Sequence, residues 1–516
     1  AGERTPVRVE GLLPGDSVTV ETEPCESAGD HTLPTPWAHA PLLIRVSAPH
    51  RESARIVIGY SARHVDRLIE DTVRPAVLDE KSGAWRILTS ASVNTRARTI
   101  TCQFVQSGLW TICGLSRVRW QAPQRESNAT VGDIDGDGRL EVALTQYANA
   151  ELLNSDGSSR HVFQLQASNR PVQNTSSPLI ADINADGRNE IVYGATSGHV
   201  HAFSPDGVEL WRTPVGGEVR GGIAAAMSDD GRPSCLCVSW HDAGVALLNT
   251  DGSVRWQHSL TPPADTTPVV CIPRAGGPFV VVAHGEGLIA FRCADGEVLW
   301  QYRTEGGSPV APAGGEFSRS EEPHIVTGTA SGMIYVLDAH GKVRSRWAVP
   351  AVHEAYRPII EVGMASLRDS STRQIVATTA GGVVVAYERD GTPLWQFVSR
   401  EQVTGFALGV GGRLAFADVN ADGRYEVLVA EQDQYVYSLK GDGSLLWEFR
   451  GAFFYHYSPV VADLDGQGDL TLLTTSPCQN GTYALRAGHR VAGASRTPWP
   501  TMRGNFARTN CAPWPR

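Results

Sequence analysis

Apolar residues in this chain come in short β-branched runs, such as Ile191-Val192-Tyr193 and Val427-Leu428-Val429. Each run ends in a polar turn rich in Asp, Asn and Gly. No segment sustains the period of about 3.6 residues that marks an amphipathic helix, so the pattern predicts strands almost throughout.

One unit recurs: an apolar strand, a turn holding Asp-Gly or a relative, then a strand carrying Trp. It reads Asp206-Gly207…Trp211, Asp251-Gly252…Trp256, Asp295-Gly296…Trp300, His340-Gly341…Trp347, Asp390-Gly391…Trp395 and Asp442-Gly443…Trp447. Asp156-Gly157…Phe163 is a weaker copy, and Trp120 matches the Trp strand alone. The eight anchors are spaced 43 to 52 residues apart. That length holds four short strands and their turns, and Asp-Gly supplies the positive φ that tight hairpins need. A lone four-stranded sheet cannot bury both faces, whereas radial stacking buries them and protects the edges. The pattern therefore predicts an all-β fold: an eight-bladed β-propeller of four-stranded blades over residues 115–516. The last repeat lacks its own Trp strand, so strand 115–121 is expected to complete the eighth blade and close the ring. The Asp-Gly…Trp units resemble the quinoprotein-like (PQQ-like) propeller repeat. Trp499-Pro500-Thr501-Met502-Arg503-Gly504-Asn505 is similar to a segment common in such proteins.

Residues 1–114 alternate in short strands, among them Leu42–Val46, Arg55–Tyr60 and Arg74–Asp79, which predicts a small β-sandwich domain before the propeller. Its order of strands and turns is similar to modules that precede cleavage or adhesion domains on extracellular proteins. A spacer or docking role is the plainer reading. Trp37 and Trp110 suit core packing better than a binding face.

Three turns share a stricter pattern. They are Asp133-Ile134-Asp135-Gly136-Asp137-Gly138-Arg139-Leu140-Glu141, Asp182-Ile183-Asn184-Ala185-Asp186-Gly187-Arg188-Asn189-Glu190 and Asp418-Val419-Asn420-Ala421-Asp422-Gly423-Arg424-Tyr425-Glu426. Side-chain oxygens stand at positions 1, 3, 5 and 9, and the Arg at position 7 can offer its backbone carbonyl. Calcium takes six to eight hard oxygens in a flexible shell, so this spacing predicts three structural Ca2+ sites. A fourth turn, with Asp463 and Asp465, has lost the carboxylate at position 9 and is a candidate for another. Ser228-Asp229-Asp230-Gly231 has decayed further. These loops resemble the FG-GAP repeat of integrin-type propellers, which implies placement between two strands.

The 516 residues carry a net charge of −10, which argues against a nucleic-acid backbone as partner. No run approaches the roughly 18 apolar residues of a membrane span. The opening Ala1-Gly2-Glu3 is what signal-peptide removal leaves, and nine cysteines fit export, so a secreted or cell-surface location is expected. Cys102 and Cys113 are expected to face each other across a hairpin as a disulfide, and Cys478 and Cys511 to staple the C-terminus. Cys235, Cys237, Cys271 and Cys293 are candidates to pair among themselves, leaving Cys25 odd. Asn128, Asn174 and Asn480 fit the glycosylation sequon.

Binding in propellers falls where loops from many blades converge. There, His353, Tyr356, Arg357, His456 and Tyr457, with Arg220, are the candidate catalytic set. Aromatic rings stack on sugars, Arg holds a carboxylate, and Tyr or His near it can take the proton α to a uronate. This predicts binding of an acidic polysaccharide, with β-elimination as the candidate reaction. The alternative is a non-catalytic adhesion or scaffold protein that contacts extracellular protein or glycan. His241, Asp242, His284 and Glu286 form a weaker candidate metal group. The quinoprotein likeness transfers no redox activity, because Leu236 separates Cys235 from Cys237 and removes the vicinal cysteine pair. Neither a Gly-x-Ser-x-Gly, a His-Glu-x-x-His nor a P-loop is present.

Overall fold

The structure is a computed structural model. It describes residues 7–12, 16–23, 37–49, 54–61, 68–82, 84–122, 128–146, 149–164, 176–228, 232–241, 244–260, 267–285, 287–306, 310–350, 357–399, 412–431, 433–451, 457–476 and 481–488. Among these, one 3-10 turn at Glu70–Thr72 is the sole helical element and everything else regular is strand. No helix is long and apolar enough to cross a membrane. The chain separates into two compact units, Ala1–Arg119 and Trp120–Arg516.

In the first unit two antiparallel sheets share one core. One sheet orders Val7–Glu10, Arg55–Gly59, Thr99–Gln103 and Ser92–Asn94. The other orders Thr19–Glu23, Trp37–Ser47, Gly108–Leu115, Arg74–Asp79 and Ala84–Ile87. Ile56, Ile58 and Ile100 from the first meet Ile44, Val77, Trp110 and Ile112 from the second. Trp110 is fully buried, as expected of a core residue.

The expected Cys102–Cys113 disulfide is not formed; both thiols are free and buried. The segment between them is no hairpin. Cys102 pairs across to Ile56 in one sheet, and Cys113 to His39 and Arg74 in the other. The chain changes sheets between them, near Phe104, which stacks on Trp110. A crossing and a hairpin carry the same local pattern of apolar and turn residues.

In the second unit the described strands form eight four-stranded antiparallel sheets. Seven are meanders of consecutive strands. The eighth joins Val460–Ala462, Thr471–Ser476 and Gly481–Arg486 to Val118–Ala122, from the far end of the chain. The innermost strands of the third to eighth sheets touch in series, and Ala129–Gly132 of the first sheet touches both Leu179–Ala181 of the second and Val460–Ala462 of the eighth.

The recurring Asp-Gly…Trp is explained by a contact between successive sheets. Six of these tryptophans lie over the Gly of the next sheet's outer turn. A Cβ on Gly157, Gly252, Gly296, Gly341, Gly391 or Gly443 would stand 2.6–2.9 Å from ring atoms of Trp120, Trp211, Trp256, Trp300, Trp347 or Trp395 respectively. Those glycines also hold φ between +77° and +91°, a region that L side chains avoid. The indole N–H then donates to a backbone carbonyl of the same turn: Trp211 to Thr250, Trp300 to Ala339, Trp395 to Gly441 and Trp447 to Ala487, at 2.9–3.1 Å. Trp120 makes this bond to Ser155 of the first sheet at 2.9 Å. The first sheet carries Phe163 in place of Trp. There His161 covers Gly207 instead, and Phe163 packs on Tyr193 and Phe203.

His201 sits in that first-to-second sheet contact, 2 % exposed, with Nδ1 at 2.7 Å from Glu209 and its ring stacked on Phe203. Burial lowers its pKa from the ordinary 6.5, more than Glu209 raises it. The unfolded chain therefore takes up the proton first. Stability is complete above about pH 6.5 and declines as pH falls through that value towards the lower folded pKa. Melting followed from about pH 7 to about pH 5 should show this loss, and His201→Gln should flatten it. An unchanged slope in the variant would remove His201 from the cause.

Candidate metal centre and binding face

In a meander, the first-to-second and third-to-fourth turns share one end of each sheet. The second-to-third turns and the entry segments share the other. The acidic loops all lie on the first-to-second turns, and they are hydrogen-bonded around that face. Leu140 N–H donates to Leu464 O, the Asn189 amide to Asp133 O, and Tyr425 N–H to Ser366 O, at 2.6–3.0 Å. In each case the residue at position 8 of a loop reaches back to the preceding sheet.

In the first loop, Asp133, Asp135 and Glu141 bring carboxylate oxygens within 4.8 Å of one another. Asp133 accepts Gly136 N–H at 2.7 Å and Gly138 N–H at 3.0 Å, and Asp137 accepts Arg139 N–H at 2.8 Å. Glu141 is buried and accepts Ile134 N–H at 3.0 Å. The second and third loops repeat this frame. Asp182 and Asp418 accept Gly187 and Gly423 N–H, and Glu190 and Glu426 accept Ile183 and Val419 N–H. At position 3, Asn184 and Asn420 donate their amides to Glu190 and Glu426 at 3.2 and 2.9 Å. Half a turn of either amide presents oxygen there instead. Position 4 is left-handed in all four loops, in Gly136 and Gly466 but also in Ala185 (φ +65°) and Ala421 (φ +57°). In the fourth loop Asp463 accepts Gln467 and Gly468 N–H, Asp465 accepts Gln467 N–H, and Thr471 replaces the buried carboxylate.

Burial pushes the Glu141 and Glu190 carboxyls up, and Glu426 up to about 8. Asp418 and Asp463 are raised by the same cause. A crowded, partly dry set of oxygens of this kind suits a hard cation. The Arg188 side chain pairs outside its loop with Asp206 at 3.0 Å, whereas that of Arg424 pairs with Asp422, the position-5 oxygen of its own loop, at 2.9 Å. Arg139 contributes its N–H to Asp137.

Two cationic neighbours were not foreseen. Arg160, on the outer strand of the first sheet, lies 2.8 Å from Asp135 and 3.5 Å from Glu141. Arg232, from the third sheet, lies 3.2 Å from Asp182. Strand register and sheet stacking bring them in, so loop spacing carries no sign of them. A cleft of about 550 Å³ on the same face, between the fifth and sixth sheets, also went unforeseen; Phe317, His324, Arg344 and Arg389 help to line it. Its two arginines are paired to Asp338 and Glu321 at 2.6 and 2.9 Å, which leaves little net positive charge.

His353, Tyr356 and His456 lie outside the described residues, as do Asp242, Glu286, Asn174, Asn480, Cys25, Cys478 and Cys511. Arg357 is half-buried and Tyr457 buried. Arg220 is ion-paired to Glu218 at 2.6 Å. His241 N–H donates to Glu218 O at 2.8 Å, and Trp240 packs on Gly244 and Gly217. Glu431 and Asp433 are buried, and Asp433 accepts Tyr435 N–H and the Tyr437 hydroxyl. Nearer the axis, buried Glu361 accepts Leu414 N–H at 3.1 Å and the Ser458 hydroxyl at 3.3 Å, tying three sheets together. Asn128 is 5 % exposed, which removes it as an open glycosylation acceptor.

These sheets and loops define a β-propeller protein with quinoprotein-like and FG-GAP-like repeats. The FG-GAP-like repeat profile matches residues 130–193, which hold the first two acidic loops. Residues 196–357 match a profile described as outer membrane protein assembly factor BamB, and 374–462 match one described as lambda-carrageenase β-propeller domain. A lambda-carrageenase of Pseudoalteromonas carrageenovora is 33 % identical over 96 residues, which is 19 % of this chain and 9 % of that enzyme. A lambda-carrageenase of a Pseudoalteromonas species matches equally. The chain thus spans about a tenth of the length of the curated relatives it matches. Among solved structures, Sqt1 of Saccharomyces cerevisiae aligns with TM-score 0.55 at 11 % identity, over 72 % of this chain and all of that one. The computationally designed Ika8 protein aligns with TM-score 0.50 at 13 % identity, over 72 % and 99 %. At these identities the likeness shows the fold alone.

Proposed function

We propose that the protein is a secreted, calcium-stabilised carbohydrate-binding propeller that takes an acidic polysaccharide, with a sulfated galactan as the leading ligand. Residues 115–516 form an eight-bladed propeller closed by strand 115–121, and residues 1–114 form a β-sandwich that precedes it. Ca2+ is held by the loops beginning at Asp133, Asp182 and Asp418, with the loop at Asp463 as a fourth candidate. The match of residues 374–462 to the lambda-carrageenase propeller domain carries the ligand class.

Binding is favoured over cleavage by what the described residues do. Of the six candidate catalytic groups, Tyr457 is buried and Arg220 is held by Glu218. β-Elimination also needs a proton made acidic by a neighbouring carboxylate, and a sulfated galactan has no uronate. The lyase reading therefore applies to uronate polymers alone.

The test incubates the protein with lambda-carrageenan and, separately, with uronate polysaccharides. New reducing ends and the ultraviolet absorbance of new double bonds are followed beside binding by affinity electrophoresis. The expected result is retardation by lambda-carrageenan with neither product. Double bonds that vanish in His456→Ala would establish the lyase. No binding to any glycan would return the protein to the scaffold reading.

A further inference from the structure

Four buried thiols lie in the third and fourth sheets, and the fold sorts them. The two sheets meet through one apolar layer. Ala224, Ala226, Cys235, Cys237, Leu247 and Trp256 face it from the third sheet, and Val270, Val280, Val282, Ile289, Phe291 and Cys293 from the fourth. Register places Cys235 opposite Ala226, and Cys237 opposite Ala224 and Leu247. Cys235 stands near the start of the strand Pro233–Trp240, directly after the first-to-second turn. Cys293 directly follows the strand Gly287–Arg292, at the third-to-fourth turn. Both positions are at the same end of their sheets, the end that carries the acidic loops.

The backbone of Cys293 is clamped from both sides. Its N–H donates to Pro278 O at 3.1 Å, and its carbonyl accepts the Trp256 indole N–H of the third sheet at 3.1 Å. This holds the side chain in the same apolar layer as that of Cys235, at the same end of the two sheets. Cys271 instead belongs to the layer between the fourth and fifth sheets, with Ile325 and Tyr335, and its sulfur would lie 2.8 Å from a Cβ on Gly314.

We propose that Cys235 and Cys293 are an oxidisable pair that closes into a disulfide joining the third and fourth blades. The bond requires the two sulfurs to meet at about 2.05 Å, and both side chains already face the same layer. A peroxide is a sufficient oxidant. The Cys235 sulfur takes one peroxide oxygen as the O–O bond breaks, giving a sulfenic acid and one water. The Cys293 sulfur then displaces that oxygen, forming the S–S bond and releasing a second water. Two thiols and one peroxide give one disulfide and two waters. The hydrogen bond from Cys293 lowers the Cys235 pKa and favours its thiolate, with Arg255 adding to the effect, so Cys235 is the sulfur that attacks. Burial raises Cys237, and no neighbour offsets it, so it stays a thiol.

The experiment treats the folded full chain with hydrogen peroxide, blocks remaining thiols in denaturant, digests with trypsin and maps the linked peptides. The expected product joins Gly221–Arg255 to Cys293–Arg303. It persists in Cys237→Ser and disappears in Cys235→Ser and in Cys293→Ser. The linked protein should melt higher than the reduced protein by roughly 3–5 °C. Recovery of both peptides with blocked free thiols, or a link that survives Cys235→Ser, would overturn the proposal. The readout is the parent protein's own peptide map, so a variant that folds poorly does not obscure it.

Discussion

Trp120→Ala should lower unfolding stability by about 3 kcal/mol, towards the low end for a large aromatic because Trp120 is only partly buried. The change removes the ring that covers Gly157 and the 2.9 Å bond to Ser155 O. Trp120 lies on the strand that brings the two ends of the propeller together, so the loss falls on the join between the eighth sheet and the first. Trp120→Phe keeps most of the ring and loses the N–H bond, so it should cost about 1 kcal/mol more than burial alone explains. Denaturant melts of both variants read this directly. In Trp120→Ala the transition should also broaden, because an opened array of blades unfolds from its free ends. A midpoint and slope equal to the parent's would mean that Trp120 does not close the ring.

Removal of calcium should have the second large effect. Each occupied loop adds about 3–4 kcal/mol when the free ion exceeds its dissociation constant by about 100-fold to 1,000-fold. Three loops together should then raise the melting temperature on the order of 10 °C in a unit of this size. Excess chelator should remove that gain, and re-added calcium should restore it. Magnesium should restore much less, since it demands a tight octahedral shell. Glu141→Gln should remove less than a third of the shift, because it disables one loop while sparing those at Asp182 and Asp418. Arg160 already lies against Asp135 and Glu141, so the first loop should depend on the ion least. Identical melting with chelator and with calcium would end the metal reading.

The features legible in the sequence are the local ones. Asp-Gly…Trp is a contact between neighbouring sheets, yet it leaves a local mark, because the Gly must lack a Cβ and hold a positive φ wherever a Trp covers it. The acidic loops are legible for the same reason: position 1, position 5 and the buried Glu at position 9 hold one turn in shape through backbone N–H bonds. What was not legible depends on distant partners. Cys102 and Cys113 are separated by a turn-like stretch that serves as a crossing between sheets. Arg160 and Arg232 reach the loops only through register and stacking. The choice of Cys293 as the partner of Cys235 needs the strand ends of two sheets to be known. Arg220 is the exception, since the Glu218 that holds it is only two residues away.

The ligand proposed for this propeller is a sulfated galactan. Affinity electrophoresis through gels containing lambda-carrageenan, or the same polymer after desulfation, tests it most directly. Marked retardation is expected in the first gel, relieved by added salt as for ionic contacts, and free migration in the second. Equal migration in both gels, with calcium present, would contradict it.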